Sequence, residues 1–230
     1  AVAQLIRDAL KKCVDNAAGL LTRDEAAIHA VFEGLVIGGI AMAYAGVSRP
    51  ASGVEHYFSH VWDMRGLEFG TKVDLHGIQC AMGTAKAVKL YEYVAKLRPD
   101  AEKAAGYVSD FDYNDWSNQL RDFLGSAADT MIALEAKEGK YNKSAHKARF
   151  DLIAENWDSI LQIIREELPT SEQFEKIMDT VGISTDLNML DVDSACAKQT
   201  FRATKDIRDK YVLSRLAWDL GILEELCDLL

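Results

Sequence analysis

Proline is scarce: the chain has three prolines and 15 glycines in 230 residues, below the roughly 12% that the two together usually make up. Scarce chain breakers favour long helices over many turn-linked strands. Basic charge is short as well, with 26 Lys and Arg against 36 Asp and Glu, a net charge of −10. That balance argues against nucleic-acid and anionic-membrane partners, which need a surplus of cations. No apolar run reaches the ~20 residues of a membrane span; the longest, Gly34 to Val47, carries four glycines and stops short. The first residue is Ala, and it leads into an amphipathic pattern with Arg7 and Asp8, not into a signal peptide. Cys13, Cys80, Cys196 and Cys227 form no CxxC pair, so they read as small buried hydrophobes of a cytoplasmic protein and not as a thiolate metal site. No glycine-rich strand-to-helix turn of the dinucleotide-binding kind occurs.

What remains is helical periodicity almost throughout. Val2, Leu5, Ile6, Leu10, Cys13 and Val14 have the spacing of an amphipathic helix. Thr22-Arg23-Asp24-Glu25 reads as a capping box ahead of a helix to about Ala45, apolar on all sides and hence expected to be central and buried. Its Gly34, Gly38 and Gly39 predict a closely approaching neighbour. Ser52-Gly53-Val54-Glu55 reads as a second capping box, starting a helix to about Met64. A polar loop, 65–74, precedes a long helix from Leu75, whose first turns are small at Gly77, Ala81, Gly83 and Ala85. Residues 100–112 read as loop, and periodicity resumes over 114–138, 143–168, 171–181 and 193–220. The expectation is an all-α, bundle-like domain of about eight helices.

Three of the five histidines fall close together. His56 and His60 are four apart on one helix and point the same way; His76 opens the next helix after a loop long enough to fold back. Imidazole is the commonest metal ligand. From spacing alone two readings stand: a metal centre, or capping and core histidines, since no HExxH pattern is present and no carboxylate is obviously placed as a third ligand.

The string Ser48-Arg49-Pro50-Ala51-Ser52-Gly53-Val54-Glu55-His56, followed by Ser59-His60, Leu75-His76-Gly77 and Met82-Gly83-Thr84, resembles the core of the sn-glycerol-1-phosphate dehydrogenases. These belong to the iron-containing alcohol dehydrogenase, glycerol dehydrogenase and dehydroquinate synthase superfamily. Glu33 to Gly46, and Arg208 to Gly221, are similar as well. The resemblance implies a divalent metal, Zn²⁺ or Fe²⁺, held by an acidic residue and two histidines; the histidines match His56 and His76. It implies that His60 faces substrate, as a hydrogen-bonding or proton-relay group, and that Arg49 contacts an anionic substrate. The metal would act as a Lewis acid on the oxygen of the carbon that exchanges hydride with nicotinamide. Beyond the metal site no catalytic residue, and no cofactor-binding residue, is assignable.

Family members bind NAD(P) through an N-terminal α/β domain, which also carries the acidic ligand, and nothing in this chain matches it. Residues 1–230 are therefore expected to be the C-terminal helical metal- and substrate-binding domain, inactive alone. Its partners would be the missing N-terminal domain and a small polyol phosphate, with no nucleic acid and no membrane; homo-oligomerisation is a further option. NAD(P) would belong to the full-length parent. A dehydroquinate synthase-like lyase is the alternative, although Gly53 stands where a polar substrate-binding residue is expected. A non-catalytic helical scaffold is the other.

Weaker signals read as structural. Lys137, Lys140, Lys143, Lys147 and Arg149 form a basic patch read as a solvated helix end, with a phosphate-facing role as the alternative. Arg202 to Lys210 reads as a salt-bridged exposed helix. The four tryptophans read as core, and Asp110, Asp112 and Asp115 as loop and N-cap chemistry, with no calcium loop completed.

Overall fold

With prolines only at 50, 99 and 169, long stretches are free to run as helix. A computed structural model describes residues 2–48 and 51–230. Among them the elements are α1 (Val2–Asp15), α2 (Glu25–Ala45), α3 (Val54–Phe69), α4 (His76–Val94), α5 (Ala101–Ser109), α6 (Tyr113–Leu124), α7 (Ala127–Glu138), α8 (Lys143–Glu155), α9 (Trp157–Glu167), α10 (Ser171–Thr180), α11 (Ser194–Thr204), α12 (Leu213–Asp219) and α13 (Leu223–Cys227). No strand occurs among the described residues, so the fold is all-α as expected. The chain divides into two compact units: Ala1–Gly53 with Ser171–Thr185, and Val54–Thr170 with Asp186–Leu230.

In the first unit α1 and α2 meet at Gly34. A Cβ there would lie 2.5 Å from Cys13 Sγ and 3.3 Å from the Ala9 carbonyl oxygen, so only glycine lets the helices approach this closely. Lys12 and Glu33 pair across the same contact. The helix cap differs from the expected one. Asp24 accepts the Ala27 amide at 3.0 Å, while the Thr22 hydroxyl donates to the Gly19 carbonyl at 3.1 Å. Between them Arg23 sits in the left-handed region, φ 56°, which carries Thr22 away from the helix end.

The expectation that α2 is central and buried fails. Its buried residues are small (Ala27, Ala30, Gly34 and Ala41). Ile28, Phe32, Leu35, Val36, Ile40 and Tyr44 are exposed, Leu35 by 71% and Tyr44 by 78%. These six lie at i, i+4, i+7, i+8, i+12 and i+16, a single stripe of the helix. This largely apolar helix thus has one face on α1 and another that stays exposed among the described residues. Gly38 and Gly39 have nothing within 4 Å of an added Cβ, so of the three glycines only Gly34 marks a close approach. By length and composition α2 is also long and apolar enough to cross a membrane, which the run from Gly34 alone is not. Buried helices of soluble proteins pass the same test, so it assigns no membrane role.

The second unit carries the large core, with Tyr57, Phe58, Trp62, Met82, Leu90, Leu124, Phe201 and Trp218 fully buried. Phe58 stacks on Phe201 with ring centroids 6.0 Å apart, joining α3 to α11. All four tryptophans are buried, as expected. Several boundaries are corrected. Residues 101–109 are helix, because Asp100 caps the Glu102 and Lys103 amides at 3.0 Å. The stretch 114–138 is two helices, broken at Gly125 with φ 60° and ψ −132°, outside the helical region. The stretch 143–168 also divides, at Asn156. Asp112 caps the Asn114 and Asp115 amides, so this acidic cluster does act as an N-cap.

Buried charge is paired in two places. Asp219, fully buried, accepts from Arg149 at 3.1 Å and from the Tyr211 hydroxyl at 2.9 Å, with Arg215 at 3.7 Å. Asp206 accepts from Trp116 Nε1 at 3.0 Å and Lys205 Nζ at 2.9 Å, and from the Tyr141 hydroxyl. Lys205 and Asp206 are thus core residues and not part of an exposed salt-bridged helix; α11 ends at Thr204. Most of the basic patch is similarly engaged: Lys140 donates to the Arg208 carbonyl at 2.9 Å, Lys143 to the Ser109 carbonyl at 2.7 Å, and Lys147 to Asp151 at 2.6 Å.

Two stability outcomes follow. Gly34→Val is expected to overpack the α1–α2 contact and cost about 1–3 kcal/mol, whereas Gly39→Ala, with open space, stabilises by up to about 1 kcal/mol; urea unfolding of both measures the contrast. Asp219→Ala leaves the buried Arg215 guanidinium without its counter-charge and is expected to cost about 3–5 kcal/mol in the same measurement.

Candidate metal centre

Helix α3 presents His56, Ser59, His60 and Asp63 along one side, at i, i+3, i+4 and i+7. Gly70, with φ 68°, follows the end of the helix, its amide donating to the Gly66 carbonyl at 3.0 Å. The chain then returns so that α4 opens at His76, and its first turn brings Gln79 and Cys80 to the same side at i+3 and i+4. What holds the two helices at this spacing is Gly83. A Cβ at that position would lie 2.9 Å from the Glu55 carbonyl oxygen and 3.1 Å from Phe58 Cβ. Of the small residues in the opening turns of α4, this one is required by close packing; Gly77 has nothing within 4 Å of an added Cβ.

The three clustered histidines meet between these helices. His76 Nε2 is 3.0 Å from His56 Nδ1, and ring centroids are 4.8 Å apart for His56 and His76, 5.5 Å for His60 and His76, and 6.3 Å for His56 and His60. His76 is exposed, and His56 and His60 are half-buried. Arg49 lies outside the described residues. The remaining histidines stand elsewhere: His29 is beside Glu33 at 3.7 Å, and His146 is buried with Nε2 on the Asp219 carbonyl at 2.8 Å.

Four residues that the histidine pattern did not single out complete the cluster. Gln79, fully buried, donates through Nε2 to Ser59 Oγ at 2.9 Å and to Asp63 Oδ1 at 2.7 Å, and its Oε1 accepts the Asp74 amide at 3.3 Å. Ser59 Oγ is 2.7 Å from His76 Nδ1, and Ser59 also hydrogen-bonds Cys80. Cys80 Sγ is 3.5 Å from His76 Nε2. Among the described residues, two sets place three donor atoms within 4.8 Å of one another: His56, His76 and Cys80, and His60, Asp63 and His76. The helical spacings 56/59/63 and 76/79/80 contain these residues. They were missed because serine, glutamine and a lone cysteine carry no ligand signature until the histidines give them a context.

Burial depresses the His60 pKa below the usual histidine value, with further lowering from His76, Arg208 and His56 and an opposing pull from Asp63. Burial pushes the Cys80 thiol up to about 11, Glu55 adding to it and the Ser59 hydrogen bond opposing it. The donor set fits a borderline divalent cation, since imidazole nitrogen and thiolate sulfur are both zinc ligands. A separate cleft of about 240 Å³ is lined by Tyr107, Asp110, Trp116, Arg202 and Glu224. It carries less chemistry, because Arg202 is already bound to Glu224 there.

No family model matches the chain, and no solved structure is significantly similar to it. Curated relatives are. It is 33% identical to a glycerol-1-phosphate dehydrogenase (NAD(P)+) of Halalkalibacterium halodurans over 106 residues, 46% of this chain and 27% of that protein. It is 46% identical to one of Korarchaeum cryptofilum over 74 residues, 32% of this chain and 24% of that protein. The enzyme of Geobacillus stearothermophilus matches over 209 residues at 25% identity, 90% of this chain and 42% of that protein. The chain therefore spans less than half the length of these glycerol-1-phosphate dehydrogenases, to which it is similar.

Proposed function

We propose that this chain is the metal- and substrate-binding helical domain, the C-terminal part, of an NAD(P)-dependent glycerol-1-phosphate dehydrogenase that interconverts dihydroxyacetone phosphate and glycerol 1-phosphate. The observation that carries this reading is the pair His56 Nδ1 and His76 Nε2, facing each other at 3.0 Å from two different helices in a chain whose curated relatives are such dehydrogenases.

In this reading His56 and His76 hold the cation, Zn²⁺ or Fe²⁺. When bound, it supplies a Lewis acid for the oxygen on the carbon that gives or takes hydride. Ser59, itself held by Gln79, fixes the far nitrogen of His76 and so orients the ring, as outer-shell partners of metal-binding histidines do. His60, one turn beyond His56, has its pKa lowered, chiefly by burial; it accepts the proton of the substrate hydroxyl during oxidation and returns it in reduction. Arg49, seven residues before His56, is assigned to the anionic end of a polyol phosphate. The nicotinamide comes from a second, N-terminal domain, since the chain carries no dinucleotide-binding turn. The exposed stripe of α2, from Ile28 to Tyr44, offers that domain an apolar face to cover. The chain alone is then inactive, and the whole enzyme is cytoplasmic.

Zinc titration calorimetry on the chain and on a His56→Ala, His76→Ala double variant tests the reading. One zinc is expected to bind the chain, and binding is expected to be lost in the double variant. Equally strong binding by both would place the metal elsewhere and contradict it.

A further inference from the structure

We propose that Arg208, on the connection between α11 and α12, binds the phosphate of the polyol phosphate substrate. The inference rests on the reading of His56 and His76 as the metal-holding pair, and adds a residue for the anionic end of the substrate, which the histidine cluster itself lacks.

Chemistry sets where such a residue must stand. In dihydroxyacetone phosphate and glycerol 1-phosphate the phosphate ester is on the carbon next to the one that exchanges hydride. The phosphate therefore lies only a few bonds from the oxygen that the cation polarises, just beyond the rings of the centre. The chain has a net charge of −10, and the Glu55 and Asp63 carboxylates stand at the centre itself. A phosphate is repelled there unless a local cation offsets them.

The connection, residues 205–212, brings cations to that place. Lys210 Nζ lies 5.9 Å from the ring centre of Tyr57, and that ring is 6.4 Å from the His60 ring, so the segment runs against the His60 side of α3. Arg208 is exposed just before it. Its charge reaches His60, whose pKa falls first through burial, then through His76 and Arg208. Arg149 and Arg215 are held by Asp219, and Arg202 by Glu224, whereas the Arg208 guanidinium has no carboxylate partner among the described residues. Arg65, on α3 itself, is engaged by the Phe123 carbonyl and by the Phe69 and Phe123 rings.

The backbone beneath Arg208 is fixed from several sides. Lys205 and Asp206 are buried as a pair at the start of the connection. Lys140 Nζ donates to the Arg208 carbonyl at 2.9 Å, and the Tyr211 hydroxyl donates to Asp219 at 2.9 Å. Arg149 and Arg215 both donate to the Lys140 carbonyl, which ties that lysine's own backbone to the same buried charge. A held backbone under an exposed guanidinium presents the planar donor fork in one place, which is what two-point recognition of a phosphate needs. Lys210, a point charge placed over Tyr57, adds to the field but has no such fork.

Titration calorimetry with sn-glycerol 1-phosphate on the whole, zinc-loaded chain tests the assignment. The unaltered chain is compared with Arg208→Ala, Arg208→Lys and a distant control, Lys147→Ala, whose lysine is exposed and paired with Asp151. Circular dichroism and zinc affinity are expected to be the same in all four, since Arg208 is exposed and is not a metal ligand. The unaltered chain is expected to bind the phosphate ester, more weakly as salt rises. Arg208→Ala is expected to bind it about 10–100-fold more weakly, the range for loss of a hydrogen bond to a charged group, and to lose much of the salt dependence. Arg208→Lys falls between the two, and Lys147→Ala matches the unaltered chain. Undiminished binding by Arg208→Ala overturns the assignment, as does a zinc-loaded chain that takes up no phosphate ester; the histidine centre stands in both cases. An equal loss in Lys147→Ala reports net charge alone and overturns it too. If zinc itself fails to bind, the reading of the centre falls, and the same titration of the metal-free chains decides Arg208: a loss confined to Arg208→Ala upholds it, and no binding or no loss overturns it.

Discussion

Gly83 has no room for a side chain, because a Cβ there would lie 2.9 Å from the carbonyl oxygen of Glu55. That backbone contact places α4 against α3 closely enough for rings on the two helices to meet, and the rest of the centre depends on it. Helix geometry then does the sorting: 56, 59, 60 and 63 share one side of α3, and 76, 79 and 80 share one side of α4. The same contact lies against Phe58, which is fully buried and stacks on Phe201. Metal donors and core are therefore opposite sides of one helix pair, and a change in core packing beneath α3 would move the donors.

Polar groups in the second unit fall into two kinds with different demands. Asp206 and Asp219 are buried and surrounded by tyrosine, tryptophan, lysine and arginine donors. Buried charge persists only with such partners, and these pairs tie α8, α11 and α12 to the loops between them. The histidine centre is arranged differently. Its supports, Ser59 and Gln79, are fully buried, while His56 is half-buried and His76 exposed. A rigid buried base under accessible donors is what a ligand site requires, since the donors must hold their geometry yet be reached from solvent.

How much of this was legible in the sequence depends on the range of the interaction. The helical class follows from scarce proline and unbroken periodicity, which are local. The histidine pair on α3 also follows from local spacing, and the resemblance of residues 48–84 to glycerol-1-phosphate dehydrogenases agrees with the curated relatives. Local patterns failed where a single residue's conformation or one contact decides. Gly125 and Asn156 each interrupt a helical periodicity that continues on both sides. Asp100 starts a helix in a stretch with weak patterning. The uniform apolarity of α2 suggested burial, but apolarity reports the need for a partner and not its presence, and the described residues leave one stripe uncovered. Lys205 and Asp206 looked like surface charges because only the fold shows the Tyr141 and Trp116 groups that receive them.

The central claim, that α3 and α4 together form a metal centre through His56 and His76, is tested most directly by zinc-edge X-ray absorption on the zinc-loaded chain. The account requires two nitrogen scatterers with the multiple-scattering pattern of imidazole at about 2.0–2.1 Å. A shell made only of oxygen, or of oxygen with a single imidazole, would contradict it, because the facing nitrogens of the two helices would then not be what holds the metal.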